Sequence, residues 1–398
     1  MRGAGPFRVL ASTAAVTTAC VLPSFLVGAM AVQVGRDLDF DASGVGIAFA
    51  AFFAAAAFTS APLGRVTERS GPILSLRAAA VVSGGACLVT AAVAHSLLTL
   101  VAPIAVAGAS NALCQPAANL LIARALPAER QGVAFAVKQS AVPMATLLAG
   151  AAVPLVAATI GWRWAFVIAA GLSLASAAWV PRLDIGNGRR ATGGTGAATD
   201  VPFGVMAVLA LGIGFGAAAG GTLGSFLVSA AVDGGISEGS AGWLLTAGSF
   251  AGITTRLLAG VRADRRDGGH LRVVALMLTA GAGAFAVLSV NAPWAYVVAG
   301  PLGFCTAWAW PGLFNLAVVR ANPTRPAAAT GITQTGTYIG AVSGPLLFGM
   351  LAERTSFRTA WLVAVVFALV GAVAITDGRR RLRAWRVNAV LPVDPVPA

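Results

Sequence analysis

Residues 64–71 read GRVTERSG, and residues 260–268 read GVRADRRDG. Gly64 maps onto Gly260 at a shift of 196, and the same shift carries NLLIARALP at 119–127 onto NLAVVRANP at 315–323. Gln139 answers to Gln334, and GWRWAF at 161–166 to SFRTAW at 356–361, both at a shift of 195. One register held across four separate segments means that the chain contains two parallel copies of one unit.

Composition says what surrounds those copies. The chain has 398 residues, 58% of them hydrophobic and only 10% charged. Soluble domains carry about 25% charged residues, and a larger core would still need a charged shell, so this surface faces lipid. Apolar stretches of about 20 residues fall near 9–32, 43–63, 73–94, 98–123, 133–158 and 162–181. Six more fall near 202–231, 238–260, 272–291, 294–319, 328–351 and 359–376. The first is longer than a signal-peptide core and reads as an uncleaved span. The fold expected is therefore an all-α membrane protein of twelve transmembrane helices in two pseudo-symmetric six-helix bundles. The divisions expected are a bundle over 1–181, a glycine-rich linker over 182–200, a second bundle over 201–377 and a basic tail over 378–398.

The net charge of +13 would suggest nucleic acid in a soluble protein, but here the arginines cluster on alternate loops. Arg65, Arg69, Arg124, Arg262, Arg320 and the cluster from Arg379 to Arg386 fall on one side. The other side has Arg36, Arg163, Arg354 and Arg358 against Asp37, Asp39, Asp41, Asp233, Glu238 and Glu353. This bias predicts cytoplasmic termini and a multi-pass protein of the plasma (inner) membrane. Cys20, Cys87, Cys114 and Cys305 lie in apolar stretches with no paired spacing and read as packing residues.

The loops quoted first resemble the G-x-L-x-D-R-x-G-R motif of the major facilitator superfamily. The first copy supplies Gly64, Glu68, Arg69 and Gly71, with Val66 in the Leu position, Glu for Asp and Pro72 in place of the last Arg. The second supplies Gly260, Asp264, Arg265 and Gly268, with Arg262 in the Leu position. The resemblance implies a transporter fold with the motif acting as a conformational latch. In that reading Glu68 and Asp264 meet a helix N-terminus and a nearby arginine.

Charges inside spans are expensive in lipid and mark candidate sites. Lys138, the chain's single lysine, lies about two turns into the fifth span, and Arg256 lies in the eighth. No Asp or Glu lies well inside any span. Two cations without a counter-ion make a site for an anion, though either could snorkel to the interface or hold backbone carbonyls. The R-x-x-x-G spacing of Arg256 and Gly260 resembles monocarboxylate, oxalate and nitrate carriers, which implies that Arg256 binds the substrate's negative group. Asn111 and Gln115 share a helix face, as do Gln334 and Tyr338, and Gln139 adjoins Lys138. All five are candidate cavity residues. Trp308 and Trp310 could wall the same cavity. Gly336, Gly340 and Gly344 before Pro345 form a close-packing, bending run.

The reading is a secondary active transporter that moves a small organic anion, a carboxylate, by alternating access. It is expected to be a monomer in the bilayer, with no cofactor, metal or nucleic acid, and not an enzyme, since His95 and His270 stand isolated. A proton-coupled drug or metabolite exporter is the alternative. The fourth span lacks the antiporters' intramembrane arginine, and SAVPMATLLAG stands where their glycine-proline motif would be. A non-transporting membrane sensor is the third reading, and the retained latch loops argue against it.

Overall fold

The computed structural model describes residues 6–126, 134, 137–181, 201–264, 269–322 and 326–390. Every regular element among them is helical, as expected in lipid, where each backbone N–H and C=O must be satisfied within its own segment. The first half runs through α1 (Pro6–Ala29), a short α2 (Ala31–Leu38), α3 (Ala42–Ser70), α4 (Pro72–Val93) and α5 (Leu97–Ala125). It continues through α6 (Ala141–Ala152), which ends in a π turn (Val153–Ala157), and α7 (Trp162–Trp179). The second half holds α8 (Phe203–Asp233), α9 (Glu238–Asp264), α10 (His270–Leu288), α11 (Pro293–Thr306), α12 (Pro311–Ala321), α13 (Pro326–Arg354) and α14 (Phe357–Val390).

Eleven of the described helical segments are long and apolar enough to span a bilayer, with α11 and α12 counted as one. The remaining helix of comparable length is α7, whose first turn carries Arg163 between Trp162 and Trp164. Leu172, Leu276, Val298 and Val366 are exposed on the outside, the inverse of a soluble surface and suited to acyl chains.

Local chemistry sets the helix ends. Gly71 takes φ 82°, a conformation that favours glycine, and Pro72 follows at the first helical position of α4. Ser96 and Thr99 form a reciprocal capping box that starts α5. Two features depart from simple spans. The tenth span is broken at residues 307–310, where α11 stops and α12 restarts on Pro311. The last helix does not stop where its apolar stretch ends but continues to Val390, so the arginines from 379 to 386 ride on helix. The linker over 182–200 lies outside the described residues.

Small residues let the halves' helices approach closely. A methyl group added at Gly336, Gly340 or Gly344 of α13 would fall on the backbone at Ala210, Gly214 or Ala218 of α8, respectively. The glycine run therefore works as a packing ridge at four-residue spacing, and Pro345 is accommodated inside one continuous helix.

The halves meet at the end carrying the acidic loops. Arg36 pairs with Glu238, and the Gln33 amide donates to the same carboxylate at 2.7 Å. The Ser43 amide donates to Glu353 at 3.1 Å. A methyl on Gly46 would meet the Pro345 carbonyl at 2.8 Å, and one on Gly28 would meet Ser225. Gly150 and Gly242 stand back to back in the same way. At the arginine-rich end, Gly64 and Gly260 have nothing within 4 Å of such a methyl. Toward that end the halves touch at Ser60 with Tyr338 and at Gln139 with Arg256. The protein is closed at its acidic face.

Candidate functional site

The site begins with a polar stripe on α5. Asn111, Gln115 and Asn119 stand four residues apart and so share one helix face. Gln115 Nε2 donates to Asn111 Oδ1 at 3.1 Å. Lys138 Nζ donates to Gln115 Oε1 at 2.5 Å and to Asn119 Oδ1 at 3.1 Å. Lys138 is 4% exposed, so it does not snorkel; two neutral oxygens hold it inside the first half. Asn119 is a functional candidate that the sequence reading used only as a marker of the repeat. Its signal was present in the spacing that already joined Asn111 to Gln115.

The second cation is positioned by the broken span. Where α11 ends, backbone carbonyls lose their helical partners and need donors. The Trp308 carbonyl accepts from Arg256 Nη2, and the Ala307 carbonyl accepts from Trp310 Nε1 at 2.6 Å. The Arg256 guanidinium also reaches across to the first half, with Nη1 at 3.5 Å from the Gln139 carbonyl. Arg256 does not reach for the interface either. It sits at the negative end of a half-helix, where a cation is favoured.

These bonds leave capacity. Arginine carries five N–H donors and lysine three; two on each are engaged among the described residues. The ion pairs among the described residues are Arg36–Glu238, Arg163–Asp37 and Arg381–Asp377, none of them with Lys138 or Arg256. Both cations are held by neutral oxygens, and neither has a carboxylate partner among the described residues. Because Gln139 follows Lys138 in the chain, its contact with Arg256 brings the two cationic segments together between the halves.

Asn111, Gln115, Lys138, Gln139 and Arg256 therefore form one connected group. The Tyr338 hydroxyl interacts with Ser60 of α3 and with Gln334. Trp308 packs its ring on Phe304 and Phe25, at 5.3 and 5.8 Å between centroids, and bridges the two halves. Trp310 is buried in packing rather than walling a cavity. His270 is not isolated, since its Nε2 meets Arg320 at 3.1 Å.

Of the latch residues, Gly64 and Gly71 flank the end of α3, Arg69 is exposed, and Gly260 lies near the end of α9. The side chains of Glu68 and Asp264, and the whole of Arg265 and Gly268, lie outside the described residues. On the acidic face, Asp37 accepts from Trp162 Nε1 at 3.0 Å and pairs with Arg163. The Arg163 hydrogen bond holds the Asp37 carboxyl below its ordinary value, against the opposing effect of partial desolvation.

Three solved structures share this architecture. A bacterial homologue of the human lysosomal transporter Spinster, inward-facing and unoccupied, superposes with a TM-score of 0.74 at 18% identity, covering 96% of this chain and 99% of its own. A D-xylose–proton symporter gives 0.73 at 14% identity over 94% and 97%. The nucleoside transporter NupG gives 0.70 at 16% identity over 94% and 100%. Among curated proteins, none matches the chain in sequence. The Major Facilitator Superfamily profile matches residues 13–205 and 209–390. With that match over nearly its whole length, and the fold to go with it, the chain belongs to the Major Facilitator Superfamily.

Proposed function

We propose that the protein is a secondary active transporter for a small organic anion, a carboxylate, and that Arg256 and Lys138 bind its negative group. The observation that carries this is the pair of interior cations tied, among the described residues, only to neutral oxygens and with donors to spare. In a low-dielectric interior an anion gains from both charges at once. Arginine's planar fork suits a carboxylate, and lysine adds a point charge. The fold itself does not dictate the charge of the cargo, since structures of this shape include the D-xylose symporter and the nucleoside transporter.

The two cations belong to different halves, so a ligand that bridges them favours the state in which the halves approach at the arginine-rich end. Binding is thereby coupled to the conformational change. With the arginine-rich loops and both termini in the cytoplasm of a cell with this protein in its plasma membrane, the closed acidic face is extracellular and the state is inward-facing. Gln115, Asn119 and Asn111 orient Lys138, while Gln334 and Tyr338 line the opposite wall. Glu68 and Asp264 act as latches when the cytoplasmic side closes.

Thermal unfolding of the purified protein against a panel of organic acids and lipophilic cations tests the reading. Stabilisation by acids that disappears in Arg256→Gln supports it. Stabilisation only by lipophilic cations refutes it and favours an exporter.

A further inference from the structure

The arginine-rich end of the second half holds a cavity of about 350 Å³ whose lining includes neither Lys138 nor Arg256. It is lined by Gly269 and His270 at the start of α10, Arg320 at the end of α12, and Arg379, Arg383 and Arg386 on the last turns of α14. The three α14 arginines are spaced by four and three residues, which puts them on one helix face. Arg320 can only donate, so the His270 nitrogen it meets at 3.1 Å is the acceptor, and that ring is neutral while the bond stands. The nearest carboxylate on α14, Asp377, is paired at 2.8 Å with Arg381, which is not part of the lining. Four guanidinium groups thus share one cavity, with no acidic residue among the described residues of its wall. Like charges so arranged repel one another unless an anion sits among them. Gly269, with φ 79° and no side-chain cap, starts α10 at the same cavity and adds the positive end of a 19-residue helix.

The cavity also has an apolar wall, formed by Leu271, Ala317 and Leu382. Next to it the outer faces of α10 and α14 expose Val273, Leu276 and Val373, the surface that acyl chains cover. A phosphate held by Arg379 and Arg383 would leave a glycerol backbone at the membrane boundary and its chains along those residues. We propose that this cavity binds the headgroup phosphate of an anionic phospholipid from the surrounding leaflet, tying together the ends of α10, α12 and α14. The proposal is independent of what the transporter carries.

Native mass spectrometry of the full-length protein with phosphatidylglycerol or phosphatidylcholine, paired with thermal unfolding, tests it. The wild type is expected to retain phosphatidylglycerol selectively and to melt higher with it. The Arg379→Gln/Arg383→Gln protein should retain it roughly tenfold less or worse, with an unchanged melting temperature in the absence of added lipid. If that double variant does not fold, Arg386→Gln, at the exposed edge of the cavity, should show a smaller loss of the same kind. Equal retention by wild type and variant overturns the proposal. So does full stabilisation by millimolar inorganic phosphate with no further effect of the lipid, which would make this a site for soluble phosphate.

Discussion

Replacing Glu238 by glutamine tests whether the acidic face is a gate held by specific polar contacts. Glu238 takes two donors from the other half, Arg36 and Gln33. The Arg36 side chain is 68% exposed and that of Glu238 25%, so water screens the pair and it contributes only about 0.2–1 kcal/mol. The Gln33 bond contributes about 0.5–1.5 kcal/mol. Glutamine keeps one acceptor oxygen but turns its NH₂ toward the second donor, so part of each contribution is lost. The net effect is about 1 kcal/mol, roughly a fivefold shift toward opening at that face. The assay is alkylation at Ser225→Cys, in protein whose own four cysteines are replaced. Ser225 is buried under Gly28 when the face is closed. The labelling rate should rise about fivefold in Glu238→Gln. Arg36→Ala should have a similar but smaller effect, and the two together less than the sum, because they share one interaction. A rate unchanged by Glu238→Gln would refute the idea that these contacts hold the face shut.

Three further outcomes follow from the packing and the charges. Gly340→Ala, which sets a methyl on the Gly214 backbone, should destabilise the protein by about 1–3 kcal/mol, read as a lower melting temperature; Gly331→Ala on the same helix, with open space around it, should not. Because Asp37 is held below its ordinary value, its pairing with Arg163 stabilises the fold fully above the unfolded value of about 3.9. That contribution should vanish as pH falls through the depressed value, so the melting-temperature gap between wild type and Asp37→Asn should close in acid. A gap that is constant with pH would contradict the assignment. Asn119→Leu takes one of the two neutral acceptors from Lys138 and should weaken substrate affinity while leaving membrane insertion intact; unchanged affinity would remove Asn119 from the site.

Much of the fold was legible because membrane proteins have few ways to satisfy their backbones. Apolar length marks the spans, and the repeated loops at Gly64 and Gly260 pair the halves. Lys138 and Arg256 could be picked out because a charge in lipid is conspicuous. Their partners were less visible. The acceptors of Arg256 are backbone carbonyls, at Gln139 and Trp308, and carbonyls have no sequence signature. The break that frees the Trp308 carbonyl lies in Ala307-Trp308-Ala309-Trp310, which reads as continuous apolar helix unless Pro311 is taken as a helix start. The gate was hidden for a different reason. Arg36 and Glu238 read as topology signals in loops about 200 residues apart, and only the meeting of the halves makes them a pair.

The central claim is that two interior cations, one from each half, bind an anionic substrate. Proteoliposome counterflow with a panel of radiolabelled carboxylates measures it most directly, comparing the wild type with folded Arg256→Gln and Lys138→Gln proteins. Each substitution removes a charge-assisted contact worth about 1.5–3 kcal/mol, so exchange of the preferred carboxylate should fall roughly tenfold to a hundredfold in each. Exchange at the wild-type rate in both variants would contradict the account.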